Sequence, residues 1–107
     1  MNKLIKASIL VAAIAISSSA VAMTAKQVDK SCDQIGVLSE RYALYGAVEL
    51  KSMVAIIKND ATLPKYLKKI ITDSYIHGMG IGVKITSKQR ESIKFSAKDK
   101  CLVYLTR

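Results

Sequence analysis

Two cysteines, Cys32 and Cys101, stand far apart in a chain of 107 residues, and their pairing limits the fold more than any other feature. Whether they pair depends on the compartment, and the first 22 residues speak to that. Lys3 and Lys6 form a positive start, Ala7 to Ile16 is a short apolar run, and Ser17, Ser18 and Ser19 lead into Ala20-Val21-Ala22. An apolar run of about 10 residues is too short to span a bilayer as a helix, and small residues at Ala20 and Ala22 suit a signal peptidase. The expectation is a cleavable signal peptide over residues 1–22 and a single mature domain over residues 23–107, exported and most simply periplasmic. The mature part would carry a side-chain charge of +7, because Lys3 and Lys6 leave with the leader.

In an exported chain of this size two cysteines are most simply one disulfide. Only Cys32 with Cys101 is open within the chain; a bridge between chains is the other arrangement. The intrachain bond would close a loop of 69 residues, a constraint worth about 4 kcal/mol in the chain-entropy picture. Small domains have a margin of about 5–15 kcal/mol, so the bond would matter. A zinc site or redox pair is not favoured. There is no C-x-x-C, and His77 is the single histidine available to complete a tetrahedral set.

Apolar spacing predicts helices and offers no competing strand pattern. Val28, Cys32, Ile35, Leu38 and Tyr42 recur every three or four residues, and Gly46, Leu50, Met53 and Ile57 continue the stripe. Gly46 is the weak point, since a glycine inside a helix costs about 1 kcal/mol. The expectation is a kink there, or two helices over about Lys26–Tyr45 and Val48–Lys58. A third helix is expected from Pro64 to His77, with Leu67, Ile70, Ile71 and Tyr75 inward. Gly78, Gly80 and Gly82 would then break it. The last helix should start at Thr86, whose spacing to Gln89 suits a reciprocal cap, and should bury Ile93, Ala97, Cys101 and Tyr104. The fold class is therefore all-α, a three- or four-helix domain closed by one disulfide.

The set Cys32, Leu38, Arg41, Gly46, Met53, Ile57, then Ile70, Ile71, Tyr75, then Thr86, Ile93, Phe95 and Cys101 resembles a family of small exported two-cysteine proteins of phage and prophage gene sets. The resemblance implies a compact helical periplasmic protein. It implies no activity.

No catalytic or metal-binding set emerges. The glycines at 78, 80 and 82 follow a helix C-terminus, whereas a phosphate loop needs them before an N-terminus. His77 and Ser74 lie one turn apart, which would suit a base and a nucleophile, but no acid is evidently placed to orient the imidazole. Asp29 and Asp33 are flanked by Lys26 and Lys30, so surface ion pairs explain them better than a paired-carboxylate site. Tyr42, Tyr45, Tyr66, Tyr75 and Tyr104 fall on or beside the apolar stripes, which favours packing over stacking on nucleic acid. No cofactor is implied.

The densest basic patch is Lys65, Lys68 and Lys69, with Tyr66 among them. It is the candidate partner-binding face, with lysine supplying long-range attraction and tyrosine an anchor. The expected function is a non-enzymatic periplasmic binding or inhibitory protein, of phage or prophage type and acting on lysis or superinfection. Its partner would be another envelope protein or an anionic surface. An acid-stress chaperone and a peripheral membrane-surface binder are the competing expectations.

Overall fold

The computed structural model describes residues 24–106. The leader expected over residues 1–22 and its cleavage site at Ala22 lie outside the described residues. Four α-helices follow in order: α1 Ala25–Ala47, α2 Ser52–Lys58, α3 Lys65–Ile81 and α4 Ser87–Leu105, with a 3-10 turn at Gly82–Lys84 between the last two. Among the described residues there is no strand, and no helix is long and apolar enough to cross a membrane.

Local chemistry sets most of the boundaries. Thr24 and Gln27 cap α1 reciprocally: the Thr24 hydroxyl accepts from the Gln27 amide at 3.1 Å, and the Gln27 side-chain oxygen accepts from the Thr24 amide at 2.9 Å. Thr86 and Gln89 do the same for α4, as the spacing predicted, at 3.1 and 2.8 Å. The end of α1 is set by Glu49, which takes a positive φ of 56°. The Leu50 amide then reaches back to the Tyr45 carbonyl at 2.8 Å, and the Glu49 amide to that of Gly46 at 2.9 Å. These two bonds form a Schellman stop with glutamate where glycine is usual.

The expected division into two helices is present, and a glycine does end the third, but neither break falls at the first glycine. α1 runs through Gly46 to Ala47, and α3 runs through Gly78 and Gly80 to Ile81 before Gly82 (φ 80°) ends it. Gly46 lies against the Tyr75 carbonyl and Gly78 against that of Ala43, so a Cβ at either position would overlap backbone atoms. The helices spend two unfavourable helix residues on close approach. Gly36 does the same against α4, where a Cβ would come within 2.7 Å of the Lys94 carbonyl oxygen.

These contacts define the architecture. α3 and α4 form an antiparallel hairpin: the short Gly82–Thr86 connection joins one end, and Tyr66 stacks on Tyr104 at the other, with ring centroids 4.9 Å apart. α1 pairs Ala43 with Gly78 and Gly46 with Tyr75 along one arm, and Gly36 with Lys94 and Cys32 with Cys101 along the other. Its numbering opposes that of both arms, although the arms oppose each other. That is possible only if the two arms splay apart, and α1 accordingly packs far more closely on each arm than the arms pack on each other.

One core results. Val28, Cys32, Ile35, Leu38 and Tyr42 of α1 meet Met53 and Ile57 of α2, Leu63, Leu67, Ile70, Ile71 and Tyr75 around α3, and Ala97 and Cys101 of α4. The expected disulfide is present between Cys32 and Cys101, with Cα atoms 5.4 Å apart and both side chains fully buried. Leu50, expected on the stripe, is exposed instead. The left-handed residue before it resets the helical phase.

Candidate functional site

The lysine patch lies at the start of α3, where Pro64 supplies the entry, and its setting comes from two helices. Lys65, Lys68 and Lys69 fall on one face because they are three and four residues apart. Lys58, the last residue of α2, is brought alongside by the Asn59–Leu63 connection. Together with Tyr66, Thr72 and Asp73 these four lysines line a groove of about 690 Å³. The turn that makes the connection is held by Asp60, whose carboxylate accepts from the Thr62 amide at 2.8 Å and from the Thr62 hydroxyl.

Each predicted residue has a distinct state. Lys65 is exposed at the rim. Lys68 is partly covered and donates to the Lys58 carbonyl at 3.2 Å, placing a cation on the C-terminal end of α2, where the helix dipole favours it. Lys69 binds Asp73 at 2.8 Å, and that hydrogen bond, with the neighbouring negative charge, raises its pKa. Tyr66 is half-buried, its ring held almost parallel to that of Tyr104 (18°). The sequence reading therefore found three of the four lysines. It missed Lys58, which only the turn brings near, and Asp73, which helical spacing from Lys69 does signal.

A second depression, of about 530 Å³, separates α3 from α4. Ile70, Ile93 and Ala97 form its buried floor, while Ser74, His77, Gln89, Ser92, Ser96 and Lys100 line it with Asp73. His77 and Ser74 thus share a cleft, but the serine hydroxyl is engaged within its own helix. The Ser74 hydroxyl donates to the Ile70 carbonyl at 3.0 Å, and the Asp73 carboxylate is engaged by Lys69. Neither arrangement orients an imidazole toward a nucleophile. Among the described residues, no three His, Cys, Asp or Glu side chains are grouped to hold a metal ion.

The aspartates at 29 and 33 do form ion pairs, but with a different partner from the one expected. Lys98 of α4 reaches both, at 3.2 and 2.7 Å, one turn from the disulfide. Lys26 and Lys30 take no part. The two hydrogen bonds raise the Lys98 pKa, that from Asp33 more than that from Asp29. This contact ties α1 to α4 beside Cys32 and Cys101, so it belongs to the closure of the fold.

Comparison with protein-family models, curated proteins and solved structures returns no match.

Proposed function

We propose that this chain is an exported, non-enzymatic binding protein that uses the groove of Lys58, Lys65, Lys68 and Lys69 to hold and restrain an acidic region of another envelope protein. One observation carries the reading: two separate helices converge four lysines on a groove whose lining includes a single carboxylate, Asp73. Like charges gathered from different elements repel, and an opposite charge on a partner relieves that cost. Lys68 is held in place by Lys58, and Tyr66 by Tyr104, so part of the ordering entropy of binding is already met in the free protein. In a phage-type exported protein, such a partner would be one concerned with lysis or with admission of a second phage.

The cellular test is expression of the full precursor with and without residues 1–22, scored for lysis timing and phage plating. The expected result is a change that requires residues 1–22 and disappears when Lys65, Lys68 and Lys69 are replaced by glutamate. An effect that persists in the glutamate variant, or no effect from the full precursor, contradicts the proposal.

A further inference from the structure

We infer that the lysine groove is shaped for an acidic helical segment of a partner protein, and that Asp73 is a resident competitor that keeps Lys69 out of that contact. This rests on the binding reading above and deepens it, by naming the chemistry of the occupant and the residue that limits its grip.

The first argument is spacing. Lys68 and Lys69 follow Lys65 by three and four residues, one turn along α3, so the Cβ atoms of each are about 5–6 Å from that of Lys65. A partner helix with carboxylates at the same spacing meets this ladder charge for charge. The second is the character of the walls. Lysine stems and the Tyr66 ring give the groove apolar sides under cationic heads, which suit the alkyl parts of a glutamate-bearing helix.

The third argument is Asp73. Its carboxylate lies 2.8 Å from the Lys69 ammonium, within the groove lining. A ligand carboxylate would occupy the same kind of position. Lys69 is therefore already satisfied, while no carboxylate among the described residues pairs with Lys58, Lys65 or Lys68. Asp73 lowers the groove's attraction for any anionic surface, and a helical segment can place a neutral residue opposite it.

The experiment uses the protein with its disulfide intact and three probes: an alanine-based helical peptide with glutamates at i, i+3 and i+4 spacing, an isomer with the same glutamates at i, i+2 spacing, and vesicles of phosphatidylglycerol with phosphatidylcholine. Asp73→Asn should tighten binding of the first peptide about two- to fivefold, the range expected for releasing one exposed ion pair. Adding Lys69→Gln to that variant should cancel the gain, because Lys69 is the group released. The spacing isomer should bind more weakly, and the vesicles should not bind. If Asp73→Asn leaves peptide affinity unchanged or lower while Lys65→Glu with Lys68→Glu abolishes binding, the role of Asp73 is wrong and the groove reading stands. Equal binding of the two peptides overturns the helical ladder. Binding of vesicles alone, or of no probe, overturns the groove reading itself.

Discussion

Gly46 lies against the carbonyl of Tyr75 with no room for a side chain between them, and an added Cβ would also come within 3.0 Å of the Met79 amide nitrogen. The obstructing atoms are backbone, so they cannot swing aside. Gly46→Ala should therefore destabilise the fold by about 1–3 kcal/mol, as overpacking does, even though alanine is the better helix former. Gly80 is the control. It is helical and exposed, and a Cβ there meets nothing within 4 Å. Gly80→Ala should stabilise by about 0.5–1 kcal/mol. Urea midpoints of the two variants should move in opposite directions.

Glu49 occupies the left-handed position that ends α1. A left-handed non-glycine residue costs about 1–2 kcal/mol, and its side chain is exposed. Glu49→Gly should raise stability by about 0.5–1 kcal/mol after the entropy of glycine is counted. A lower thermal midpoint in this variant would show that the glutamate side chain does more than terminate a helix.

The Cys32–Cys101 bond closes 69 residues and is fully buried. Reducing it should remove about 4 kcal/mol and lower the thermal midpoint by well over about 10 °C. Burial adds a kinetic expectation: reduction of the native protein should be slow, and should accelerate in proportion to the unfolded fraction as denaturant is added. Rapid reduction in native buffer would contradict the buried bond.

Tyr42 is 1 % exposed, its hydroxyl has no hydrogen-bond partner, and burial pushes its pKa up to about 12. The folded chain thus keeps this proton where the unfolded chain, with an ordinary tyrosine pKa of about 10, has lost it. Stability should be fully present below pH ~10 and fall between pH ~10 and ~12, by roughly 2–3 kcal/mol from this group. Tyr42→Phe removes an unsatisfied buried hydroxyl, so it should be neutral or mildly stabilising at neutral pH. It should also flatten the alkaline decline. Denaturation curves of both proteins across that range, with tyrosinate absorbance, check the sign.

The burial pattern was legible because helical burial follows a period of three to four residues. Val28, Cys32, Ile35, Leu38 and Tyr42, then Leu67, Ile70, Ile71 and Tyr75, then Ile93, Ala97 and Cys101, are all buried where the stripes placed them. The Thr86 cap was legible for the same local reason, and the Thr24 cap carries the same spacing signal. What failed was tertiary. Gly46 and Gly78 read as helix breakers because their cost is local, while their gain, the close crossing of α1 and α3, depends on residues some 30 positions away. Asp29 and Asp33 were matched to neighbours because Lys98 is remote in sequence. The lysine patch was visible as local density, but the groove was not, since Lys58 joins it only through the turn before α3.

The central claim is that an acidic ligand occupies the lysine groove and not the α3–α4 cleft. Backbone and lysine side-chain resonances mapped during titration with the glutamate-spaced helical peptide test this most directly. The largest shifts should fall on Lys58, Lys65, Tyr66 and Lys68, shrink with added salt, and extend to Lys69 in Asp73→Asn. Shifts centred on His77, Ser92, Ser96 and Lys100, with Lys65 and Lys68 unmoved, would contradict the account.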